Sequence, residues 1–91
     1  MMSFTKDAAV AAARKDFSKR LGVDDSEVEE SVEETEFPDM ALGAGTKGEM
    51  SGQMMTSGWR IQLKAKGKKA EYRANKQQLR LFNYKGQNYR I

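Results

Sequence analysis

No cysteine and no histidine occur in the 91 residues, and proline occurs once, at Pro38. Without cysteine there are no disulfides, no thiolate zinc sites and no thiol nucleophile. Without histidine the usual general base at neutral pH and the commonest transition-metal ligand are missing, and a Ser-His-Asp triad is impossible. No apolar run approaches the roughly 20 residues of a membrane span. The N-terminal residues Met1 to Lys6 have no apolar signal core, so the sequence reads as cytoplasmic.

What remains is one small domain. At this length a chain buries roughly 60–65% of its unfolded surface, enough for a single modest core seeded by Trp59, four Phe and three Tyr. The net charge of +3 conceals segregation. From Asp24 to Asp39 there are nine acids and no base; from Arg60 to Ile91 there are ten bases and one acid, Glu71. Opposite blocks of this kind pair across neighbouring strands or mark two external faces.

Local signals order the chain. Thr5 is a plausible N-cap, Asp7 suits the first turn, and Val10, Ala13, Phe17 and Leu21 share one helical face, which predicts a helix over about 5–21 closed by Gly22. Asp24 to Glu27 reads as a turn. An acid-decorated edge strand is expected over about 30–37, with a second short helix as the alternative; Pro38 forces Phe37 out of the α region. From Trp59, alternation puts Trp59, Ile61, Leu63 and Ala65 on one face and Arg60, Gln62, Lys64 and Lys66 on the other. Gly67, Asn75 to Gln78, and Lys85 to Asn88 are turn signals in a β-meander over 59–91. The expected fold is α+β: an N-terminal helix packed on an antiparallel meander of three to five strands. Its outer sheet face would carry Arg60, Lys64, Lys66 and Arg73.

Between the first two strands lies segment 38–58, holding five glycines and four methionines. A connection this long in a small domain is usually functional when ordered. Asp39 would fix its turn, Phe37 and Trp59 would brace its ends, and Leu42 and Met50 would be contact residues. The partner-binding set is Asp39, Met40, Leu42, Gly43, Met50, Met54 and Trp59, and the expected function is a non-enzymatic protein- or peptide-interaction or regulatory module. The rival reading is an electrostatic nucleic-acid binder using Arg60, Lys64, Lys66, Lys68, Lys69 and Arg73. A third is a homodimer through the last strand, ending in Tyr89 and Ile91. Gly43 to Gly48 lacks the Gly-Lys-Ser/Thr ending of a phosphate loop, and Asp24 to Glu27 lacks EF-hand spacing, so no cofactor or metal is expected.

The run Phe37-Pro38-Asp39 with Leu42-Gly43, then Gly58-Trp59-Arg60-Ile61 and Glu71-Tyr72-Arg73, resembles a small uncharacterised prokaryotic domain family. The likeness covers about residues 20–75. That family's pattern has Trp at the Phe37 position, Cys at Ala44 and Tyr at Trp59. It implies this fold and no established activity, and its exported members leave export open. The layout is also similar to PepSY-type domains, for which regulatory or inhibitory action on peptidases has been proposed.

Overall fold

Thr5 starts the first helix by accepting a hydrogen bond from the Ala8 amide at 3.1 Å. The computed structural model describes residues 4–91, and in it α1 spans Lys6–Leu21. Gly22 ends the helix at φ 69°, the left-handed conformation a glycine adopts with least strain, and the Val23 amide donates back to the Ser18 carbonyl at 3.0 Å. The expected turn is a short 3₁₀ segment, Asp25–Glu27, in which the Glu27 carboxylate caps the Asp24 amide. Arg14 holds it against α1, donating to the Asp25 carbonyl and pairing with Glu30 at 2.7 Å.

Five strands follow: β1 Glu29–Phe37, β2 Thr56–Ala65, β3 Lys68–Ala74, β4 Leu79–Tyr84 and β5 Gln87–Arg90. They form one antiparallel sheet in chain order. The β2–β3 and β4–β5 turns are Lys66-Gly67 and Lys85-Gly86, all four residues at positive φ, as two-residue hairpins of right-twisted strands require. The α+β expectation holds, with the helix N-terminal and the sheet at five strands.

One boundary differs. Thr56, Ser57 and Gly58 pair with Phe37, Glu36 and Thr35, so β2 begins three residues before Trp59 and the connecting loop is 38–55. Trp59 therefore lies within a strand and does not brace the loop's end. Gly58 is fixed by close approach: a Cβ there would strike the Ala74 carbonyl oxygen.

The helix covers the sheet face formed by Ile61, Leu63, Tyr72, Ala74, Leu79 and Leu81, packing Val10, Ala13 and Phe17 against it. Tyr72 bridges the layers. Its hydroxyl donates to Asp16 at 2.6 Å, and Arg20 pairs with the same carboxylate at 2.7 Å. Burial, reinforced by the Asp16 carboxylate, pushes the Tyr72 phenol far above its ordinary value, so the group stays a neutral donor.

The opposite face departs from expectation. Phe37, Ala41, Leu42 and Ala44 are buried, yet they belong to no part of the helix-side cluster. Loop 38–55 folds back over the outer sheet face and builds a second, smaller core there. The molecule has three layers: helix, sheet and loop. The face expected to be solvated and basic is covered at one end and open only at the other.

Candidate functional site

The loop is built outward from Pro38. One carboxylate oxygen of Asp39 accepts from the amides of Ala41 and Gly43, each at 2.9 Å, which winds the chain into a tight turn. Leu42 and Gly43 sit at its crest with φ of 60° and 67°. The left-handed conformation costs a leucine about 1–2 kcal/mol. It persists because Asp39 grips both flanking amides and the Leu42 side chain is fully buried. Gly43 has a separate reason to be glycine, since a Cβ there would lie 2.6 Å from Arg73 Nη1.

Beneath this turn runs a row of arginines. Arg60, Arg73, Arg80 and Arg90 are register partners across β2, β3, β4 and β5, so their side chains share the outer face. Four aligned guanidinium groups would repel one another without counter-charges, and each has one. Arg60 pairs with Glu33 of β1 at 2.8 Å, which brings the acidic and basic blocks together. Glu71 holds Arg73 at 2.7 Å and faces Arg60 at 3.3 Å. Arg73 also donates to the Leu42 carbonyl at 3.0 Å, with its guanidinium 3.6 Å from the Phe82 ring centroid and 5.2 Å from that of Phe37.

Arg80 is the principal anchor. It is 4% exposed and forms a two-pronged fork with Glu49 of the loop, both contacts at 2.6 Å. It also donates to the Ala44 carbonyl at 3.3 Å. Glu49 in turn accepts from the Thr46 amide at 2.9 Å. The Arg80 fork, helped by that amide, holds the Glu49 carboxyl down to about 2. Asn88 of β5 adds a hydrogen bond to the Gly45 carbonyl at 2.8 Å. Residues 38–49 are thereby fastened to three strands.

The rest of the loop is unlike this. Met40, Met50, Met54 and Met55 are exposed, Met50 almost completely at 96%. Met40 marks the seam between the two parts: its amide donates to the Gly52 carbonyl at 2.9 Å, and Gln78 donates to its carbonyl at 2.6 Å. Residues 50–55 thus form a methionine crest carried on a clamped base.

A family model described as Domain of unknown function (DUF8738) matches residues 10–82. The chain belongs to this family. The DUF8738 match begins within α1 and ends within β4, so it includes loop 38–55 with Arg73 and Arg80, but not Asn88 of β5. No curated protein matches the chain, and no solved structure matches it.

The residues named from the sequence are divided by the structure. Met40, Met50 and Met54 are exposed, whereas Leu42 is buried, Asp39 uses its carboxylate on loop amides, Gly43 rests over Arg73, and Trp59 is half-buried against the helix-side core. Leu42 supports the loop from inside instead of presenting it. The basic set divides likewise. Arg60 and Arg73 are engaged in ion pairs, while Lys64, Lys66, Lys68 and Lys69 are exposed at the far end of the sheet. Among the described residues no three Asp or Glu carboxylates converge as a metal site, and no helix is long and apolar enough to cross a membrane.

The pairing of Glu49 with Arg80 is not among the sequence expectations, although a signal exists. Glu49 is the one acid between Asp39 and Glu71, and Arg80 is a lone charge between the core residues Leu79 and Leu81. A single acid inside a glycine-rich loop and a single base inside a strand buried on both sides invite each other as partners.

Proposed function

We propose that this domain is a non-enzymatic interaction module that docks an apolar protein or peptide segment on the methionine crest of loop 38–55. The observation that carries the reading is the division of that loop. Its base is fixed to the sheet through Arg73 and Arg80, and its crest exposes Met40, Met50, Met54 and Met55. Scattered apolar side chains on a surface need no explanation, but three exposed methionines within six residues, with exposed Met40 bonded to the same segment at Gly52, favour an apolar contact. Methionine thioethers are flexible and polarizable, and suit contact with apolar partners of variable shape. A clamped base lowers the ordering cost of binding. A regulatory action of the kind that the PepSY likeness implies would take the same form, docking without chemistry.

The test compares capture from nuclease-treated native lysate by wild type, by Met50→Ser/Met54→Ser/Met55→Ser, and by Lys64→Gln/Lys66→Gln/Lys68→Gln/Lys69→Gln. The expected result is a protein retained by wild type and by the lysine variant but lost with the methionine variant. Its purified form should then shift the methionine methyl NMR signals of the wild type. If every captured protein is retained by the methionine variant, the reading fails. Leu42→Ser is unsuitable here, because it would disrupt the buried loop core and not a contact.

A further inference from the structure

All six arginines take part in ion pairs: Arg14, Arg20, Arg60, Arg73, Arg80 and Arg90. Among the described residues no lysine does, although the chain has ten. The fold's internal charge is handled by the planar, bidentate cation, and the point-charge cation is left to solvent. These lysines are not evenly spread. Lys64, Lys66, Lys68 and Lys69 crowd the β2–β3 hairpin, and Lys85 lies in the β4–β5 turn at the same end of the sheet.

That end is the part of the outer face the loop leaves open. Lys64, Lys68, Lys69 and Lys85 border one shallow, open depression that also includes Phe82 and Glu71. Lys64 and Lys69 are direct cross-strand partners. Like charges in that position destabilise a strand pair. An approaching polyanion relieves that repulsion. Three carboxylates line the same depression, and one of them, Glu30, is paired with Arg14. Glu71 is committed to Arg73 and Arg60, and Glu29, the register partner of Lys64, guards the β1 side. A bound anion chain would therefore run from the β2–β3 hairpin away from β1, toward Lys85.

We propose that this lysine-lined hairpin end binds the phosphate backbone of nucleic acid without reading its bases. Aromatic chemistry argues for backbone contact alone. Phe82 is capped by Arg73, and Tyr84 is half-buried between Arg20 and Lys85, so neither presents a free ring for base stacking. The surface differs from the arginine-containing one suggested by the sequence, because Arg60 and Arg73 are already engaged. It also lies at the opposite end of the sheet from the methionine crest, so the two readings stand or fall separately.

The experiment is fluorescence anisotropy of a labelled mixed-sequence RNA oligonucleotide titrated with the full chain across a salt series. Four lysines on single-stranded phosphates give an expected log–log salt slope of about −3, from roughly −0.7 per contact. Lys64→Gln/Lys66→Gln/Lys68→Gln/Lys69→Gln should weaken binding at least about tenfold and flatten the slope toward zero. A control with the same charge change elsewhere, Lys6→Gln/Lys15→Gln/Lys19→Gln/Lys47→Gln, should retain most of both. All eight positions are exposed, and unchanged circular dichroism verifies the fold. Equal losses in the two variants would assign binding to net charge and overturn the site. So would an absence of RNA binding, and so would binding to phosphatidylserine vesicles with none to RNA.

Discussion

The Glu49–Arg80 fork sets the stability of the outer layer. Removing one partner of a buried ion pair leaves the other charge uncompensated, so Glu49→Gln should destabilise the domain by about 3 kcal/mol. Replacing both, as Glu49→Leu/Arg80→Met, should recover most of that loss in urea unfolding; a double variant no more stable than the single one would deny the fork its role. The pH response has a definite sign. Glu49 is held down to about 2 from an ordinary value of 4.5. Its contribution is complete above about 4.5 and is lost as pH falls toward 2. The stability gap between wild type and Glu49→Gln should therefore close between those values, with Arg80, Arg90 and Thr46 the groups facing the carboxylate. Gly22 offers a simpler case. No atom lies within 4 Å of the Cβ it lacks, so Gly22→Ala should cost about 1 kcal/mol from the left-handed backbone alone, read as a lower Tm.

The individual elements differ in how well they are tied. In loop 38–55 the amides of Ala41, Leu42, Gly43, Ala44, Thr46 and Glu49 all donate within the loop. Those of Met50, Met54 and Met55 have no such bond among the described residues. Native-state hydrogen exchange should show measurable protection at the first group and exchange near the unprotected rate at the second. Uniform protection, or none, would contradict a clamped base with a loose crest. On the other side of the sheet, Tyr72→Phe removes the hydroxyl that joins β3 to Asp16 of α1, and a loss of about 1–2 kcal/mol in urea unfolding is expected.

The same elements show what the residue order reveals. Thr5, Gly22, the Trp59 to Ala65 alternation and the glycine turns at 67 and 86 are local signals, and each appears where its chemistry placed it. The loop is legible as long, with a turn fixed at Asp39, but neither its order nor its place as a layer is. Ala41, Leu42 and Ala44 follow neither a period of 2 nor one of 3.6, so nothing in their spacing says which face they cover. Their destination depends on Arg73 and Arg80, more than thirty positions away. The basic face was misread for the same reason. Alternation reports which side of a strand a residue faces, and cannot report that the chain folds over that side again.

At the scale of the whole molecule, the two sheet edges are unlike. β1 is long and carries Glu29, Glu30, Glu33, Glu34 and Glu36, so two copies meeting there would oppose carboxylates. β5 has four residues and its pairing with β4 is irregular between Leu81 and Tyr84. Neither edge favours strand addition by a second copy. Sedimentation at neutral pH should give the 10.3 kDa monomer, and a concentration-dependent dimer would revive pairing through the last strand.

The division of labour between the two basic residue types has a consequence for covalent modification. Acetylation removes the charge of lysine and leaves arginine untouched. Among the described residues, every ion pair that holds helix, sheet and loop together uses arginine. A fully acetylated molecule would thus keep its arginine ion pairs while its net charge changed sign from +3 to negative. The scaffold is insulated from an enzyme or reagent that could erase, one side chain at a time, how the molecule presents itself to charged surroundings.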